Sequence, residues 1–195
     1  MALVDRAKNM IVSPATEWPV VAMEPATPAT IFTGYVIPLA AIGPVCAFLM
    51  MTLFQHHLIL GAVIAVISFV LELVFTFIIG LIASALAPNF GGVADRIEGL
   101  KLVAYGYTAR WVAGIFQLIP ILGSLLVLLA SLYSLYVVYI GVVPAMKVPQ
   151  DKAVTYALVL LACVIVLGIV VGIVVGIVTT AMLFSTAAAT GAFTH

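Results

Sequence analysis

Charge is the scarcest property of this sequence. Only 7% of its 195 residues are charged, against about 25% in an ordinary soluble domain. So few charges cannot cover a water-soluble globule. Lys+Arg and Asp+Glu number 7 each, and without an excess of cations nucleic acid is excluded as a partner. Cysteine is almost missing. Cys46 and Cys163 lie far apart inside apolar runs, which argues against a zinc site or a disulfide framework. With 3 histidines and no nucleophile–base pattern, P-loop or dinucleotide glycine motif, the sequence calls for neither enzyme chemistry nor a cofactor. Strand-like alternation is also absent, which removes a β-barrel from consideration.

Long apolar runs take the place of charge, and 66% of the residues are hydrophobic. A bilayer-spanning helix needs about 20 mostly apolar residues. Five stretches meet that need: Ile31 to Phe54, Leu58 to Leu86, Leu102 to about Ile119, Leu125 to Val143, and Val154 to Phe184. Inside lipid a backbone must satisfy its own hydrogen bonds, so each stretch is expected to be a helix. The expected fold is all-α, a polytopic membrane protein with five transmembrane helices in one bundle. Residues 30–185 form the membrane domain, 1–29 a cytoplasmic or interfacial segment, and 186–195 a short external tail. Pro120 and Gly123 suit a tight turn between the third and fourth helices. Pro38, Gly43 and Pro44 are expected to bend the first.

The cations fall on one side of that layout. Arg6 and Lys8, Arg96 and Lys101, and Lys147 and Lys152 occupy regions that five crossings place together. The opposite side has the Gln55-His56-His57 turn, the Pro120 turn and the tail from Ser185, without a Lys or Arg. The positive-inside rule then puts the N-terminus in the cytoplasm and the C-terminus outside. The N-terminal stretch lacks the apolar core and small-residue cleavage site of a signal peptide. The compact length points to a prokaryotic cytoplasmic (inner) membrane. Within residues 1–29, Leu3, Ala7, Met10 and Ile11 share one helical face, and Trp18 precedes a proline. That pattern fits an interfacial amphipathic segment and equally a partly ordered tail.

Several segments together resemble the Yip family, membrane proteins named for interaction with Ypt/Rab GTPases. They are VAYGYTARWVAGIFQLIPILG (103–123), ASLYSLYVVYIGVVPAMKVPQDKAVTY (130–156) and RAKNMIVSPATEWPVV near the start. The resemblance runs from about Ala7 to Val178 and is closest to the short prokaryotic form. It implies five spans and a cytoplasmic N-terminus. It also implies a non-enzymatic scaffold for membrane organisation, similar to trafficking proteins, that self-associates or binds partners. The N-terminal region here is shorter than in eukaryotic members, so a Rab-directed role transfers weakly.

The candidate sites are polar groups within apolar runs. Arg110 lies in the third stretch and Glu72 is the only acid inside a stretch. An antiparallel second and third helix can bring them together, as an ion path or as a structural ion pair. Arg110 can also snorkel to lipid phosphates. Tyr133 and Tyr136, with Ser131 and Ser134, form a hydroxyl stripe on the fourth helix. It can line a polar cavity or lock the fourth helix to the third. Gly168, Gly172 and Gly176, four residues apart, suit close helix packing, either within the bundle or in a homo-oligomer. Adjacent His56 and His57 point in different directions on a helix and make a poor metal site. Cys46, Met50 and Met51 read as core packing. The alternative to a scaffold is a small channel or transporter for an ion or small solute, using Glu72, Arg110 and the Tyr/Ser stripe.

Overall fold

The computed structural model describes residues 2–54, 56–119 and 121–189. Every regular element among the described residues is helical. Helices α1 (Leu3–Val12) and α2 (Pro14–Met23) form a short hairpin. A broken helical run follows: α3 (Pro28–Ile31), a π-turn (Phe32–Val36), α4 (Ile37–Ala40) and α5 (Ile42–Leu53). Next come α6 (Leu58–Leu86), a 3-10 turn (Ala87–Phe90), α7 (Arg96–Gly106), α8 (Thr108–Ala113) and a second 3-10 segment (Gly114–Leu118). The last two helices are α9 (Leu122–Met146) and α10 (Gln150–Ala189).

Among the described residues four runs are long and apolar enough to cross a membrane: Pro28–Leu53, Leu58–Phe90, Leu122–Met146 and Gln150–Phe184. The first is bent as its prolines predict. Pro38 and Pro44 have no N–H to give to the preceding turn, and the helix is π-type at Phe32–Val36 and interrupted at Ala41. The expected third helix, Leu102 to Ile119, is not continuous. It breaks at Tyr107, then tightens to 3-10 geometry from Gly114. The Thr108 hydroxyl bonds the Tyr105 carbonyl at 2.6 Å, an alternative partner that competes with regular helical bonding. Glycine at 106 and 114 removes the side chains that would otherwise stiffen the run. Pro120 lies outside the described residues. Helix α10 continues through Ala189, and 190–195 lie outside the described residues.

Packing is concentrated at one end of the bundle. Gly80 and Gly99 let α6 and α7 touch backbone to backbone, because a Cβ at Gly99 would lie 3.0 Å from Ser84 N. Asp95 caps α7 by accepting from the Ile97 and Glu98 amides at 2.8 and 3.2 Å, the usual role of an N-cap aspartate. The Tyr156 hydroxyl donates to the Ala83 carbonyl at 2.6 Å and pins α10 to α6. Beyond Leu160 no described residue of α10 is buried.

Residues 2–24 are helical over most of their length and pack onto the bundle. The α1–α2 hairpin is part of the core, with Met10 and Trp18 fully buried. The Tyr133 hydroxyl donates to the Ile11 carbonyl at 2.7 Å, which fixes the hairpin tip halfway along α9. Arg6 is buried and donates to Glu17 at 2.5 Å, with a second bond to Glu24. Lys101, also buried, donates to the Val21 carbonyl at 3.0 Å, the Glu24 carbonyl at 2.6 Å and Glu98 at 2.6 Å. A lysine on α7 thus caps the C-terminal end of α2, where the helix dipole favours a cation.

Candidate functional site

Glu72 lies on α6 and Arg110 on α8, and the two side chains meet. Arg110 Nη1 and Nη2 both donate to the Glu72 carboxylate, the second at 3.2 Å. The Trp111 indole N–H adds a third bond to Glu72 at 2.8 Å. The kink at Tyr107 positions this group. It turns α8 so that consecutive residues Arg110 and Trp111 both address one carboxylate, which two neighbours on a straight helix do not readily do. The Arg110 amide donates to the Ser134 hydroxyl at 3.1 Å, tying α8 to α9. The Arg110 guanidinium lies 5.8 Å from the Tyr107 ring centroid, within cation–π range.

The hydroxyl stripe divides by role. Ser134 is buried and joins the Arg110 backbone. Tyr133 reaches the N-terminal hairpin and not the third helix. Ser131 bonds the Val127 carbonyl of its own helix at 2.7 Å and lines a cavity. Tyr136 is 52% exposed. A Cβ added at Gly168, Gly172 or Gly176 finds no atom within 4 Å among the described residues.

Two cavities flank the ion pair. One of about 220 Å³ lies between α5, α6 and the second 3-10 segment; its polar lining is Ser68, Glu72, Arg110, Trp111 and Gln117. The other, of about 360 Å³, lies between α6, α9 and α10; Gly168 and Gly172 form part of its wall. Glu72 and Arg110 line both cavities. Tyr107 lines the second, and its buried hydroxyl has no hydrogen-bond partner among the described residues. Among the described residues no three His, Cys, Asp or Glu side chains gather as a metal site.

Trp111, Ser68 and Gln117 escape sequence reading, because each is an unremarkable polar or aromatic residue until the kink turns it inward. Arg6, Glu17 and Glu24 escape it for another reason. They read as ordinary charges of a solvated segment, and no spacing rule links them to Lys101.

An all-helical bundle with four apolar runs and ion pairs shielded among them is an integral membrane protein, with the lipid bilayer as its environment. Within that class the chain belongs to the Yip1 domain family, whose model matches residues 8–173. No curated protein and no solved structure matches the chain.

Proposed function

We propose that this protein is a non-enzymatic organiser of membrane proteins that associates, through α10, with a second copy or with a partner's transmembrane helix. The observation that carries this reading is the free glycine face. A Cβ added at Gly168, Gly172 or Gly176 meets no atom within 4 Å among the described residues, and Ile165, Ile169, Ile173 and Ile177 beside them are all exposed. In lipid there is no hydrophobic force between helices, so close backbone approach along small residues is a main route to association. Substituting Gly172→Ile fills that face, where a Cβ meets no atom within 4 Å among the described residues. Cross-linking in native membranes is expected to capture a wild-type oligomer and much less of the variant. A strictly monomeric wild type with no captured partner would remove the reading.

The same reading takes the chain across the bilayer five times. The kinked run 102–118 reaches about 28 Å at helical rises, close to the ~30 Å hydrocarbon core of a bilayer. The cations then lie on the cytoplasmic side with residues 1–29, and residues 186–195 lie outside. A prokaryotic inner membrane suits this layout.

A second reading rests on the Glu72–Arg110 pair. Because both residues line both cavities, parting them would join the two spaces into a path for an ion or small solute. Under this reading Glu72→Gln changes flux in reconstituted vesicles, and absence of flux in the wild type counts against it.

A further inference from the structure

The N-terminal hairpin turns an apolar face outward. Val4, Val12, Val20 and Met23 are all exposed, Val12 at 69%, while Met10 and Trp18 on its other side are fully buried. Contacts along α9 fix where that outer face lies. The hairpin tip meets α9 at Tyr133, through the Ile11 carbonyl. Trp18 meets it further along, at Val137 and Gly141. The Val21 and Glu24 carbonyls then reach Lys101. So α2 runs beside α9 from its middle toward Met146, and α1 packs on α7 and α8.

Depth follows from helix length. The 25 residues of α9 extend about 37 Å. A bilayer core takes up ~30 Å of that, which leaves about 7 Å to project. From Tyr133 to Met146 the helix covers about 20 Å. Even with all of the excess on the Met146 side, Tyr133 and the hairpin tip beside it lie about 12 Å inside the hydrocarbon.

The hairpin is built for that depth. At the tip the Ser13 N–H donates to the Asn9 carbonyl at 2.8 Å. The Thr16 hydroxyl donates to the Ser13 carbonyl at 3.0 Å, and Pro14 has no N–H to satisfy. Backbone inside a membrane needs such internal partners. Arg6 and Glu17 are buried and paired with each other, the arrangement expected of charges at membrane depth. Asp5 and Lys8 face outward, but they precede Val12 by about 10 and 6 Å along α1. Both are therefore nearer the surface, where a lysine reaches the headgroups by snorkelling.

We infer that residues 2–24 form a re-entrant wedge that dips into one leaflet, the one bordering Met146 and Lys147. Val12 lies near its deepest point, and the partner of its outer face is the acyl chains of that leaflet, which cover Val12 and Val20. The wedge is separate from the glycine face and stands whether or not the protein self-associates.

Depth-dependent quenching in the full chain tests the wedge. Cys46→Ala and Cys163→Ala remove the native thiols. An environment-sensitive fluorophore is then attached through Val12→Cys, Val20→Cys or Asp5→Cys, and each protein is reconstituted in phosphatidylcholine–phosphatidylglycerol vesicles. Position 12, close to the midplane of a ~30 Å core, is expected to be quenched about twofold more by lipids with a nitroxide deep in the chain than by headgroup-labelled ones. Aqueous iodide should not reach it. Position 5 should show the reverse. Position 20 should fall between the two, and it carries the test alone if a label at position 12 lowers the thermal midpoint. Iodide that reaches position 12 or 20 as freely as position 5 overturns the inference. Shielding of both from iodide and from chain nitroxides also overturns it, because a second copy or another protein would then cover the face.

Discussion

The Trp18 indole N–H donates to the Val137 carbonyl at 2.9 Å, although the two residues stand 119 positions apart. The same ring lies against Gly141, one helical turn further along α9, where any Cβ would collide with it. The N-terminal hairpin is therefore keyed into α9 by one aromatic side chain and one glycine. Trp18→Ala is expected to destabilise the protein by about 3–5 kcal/mol, the usual cost of emptying a large aromatic site. Gly141→Val should act from the other side by expelling the ring. Both should lower the thermal midpoint in detergent micelles, and an unchanged midpoint for Trp18→Ala would contradict the keyed hairpin.

Arg6 makes the hairpin's charge contacts, bonding both Glu17 and Glu24. Removing Arg6 leaves the buried Glu17 uncompensated, since its other recorded partner is the neutral Asn9 at 3.1 Å. Arg6→Ala should free residues 2–23 before the rest of the bundle opens. Hydrogen exchange should show faster amide exchange there, with α6 and α9 protected as in wild type.

Removing one member of the Glu72–Arg110 pair should cost more than removing both. A lone charge left inside a bundle costs about 3–5 kcal/mol. With Arg110 removed the charge left behind is Glu72, whose side chain is 16% exposed. Arg110→Met alone should therefore be less stable than Arg110→Met with Glu72→Gln. Midpoints of the four proteins in a double-mutant cycle decide it, and additive losses would show that the pair is not coupled.

Burial pushes the Glu98 carboxyl above its ordinary value of 4.5, with Lys101 pulling the other way. A carboxyl raised in this way holds its proton more firmly when folded than when unfolded. Its favourable contribution is present below pH 4.5 and is lost as the pH rises through the folded pKa. Glu98→Gln should flatten that part of the stability curve, measured by thermal midpoint from pH 4 to 7.

The membrane class and four of the helices were legible because a run of apolar residues admits no other structure in lipid. The same property hid the rest. Runs that are apolar on every face have no periodicity to say which side packs, so the free glycine face of α10 needed coordinates. The pairing of Glu72 with Arg110 was readable as an option because they are a lone acid and a lone base in adjacent helices. The kink at Tyr107 was not, since Gly106-Tyr107-Thr108 carries no proline. The hairpin Leu3–Met23 was half visible. Its apolar face showed in sequence, but its partner face on α7 and α9 is over 75 residues away.

The fixed point between Tyr156 and Ala83 makes α10 a lever. From Tyr156 to Phe184 the helix extends about 42 Å, with no buried side chain after Leu160 among its described residues. A rotation of about 5° at the pivot would carry the far end through roughly 4 Å. Small adjustments beside Tyr156, close to the N-terminal hairpin's end of the bundle, would thus be magnified on the opposite side of the bilayer.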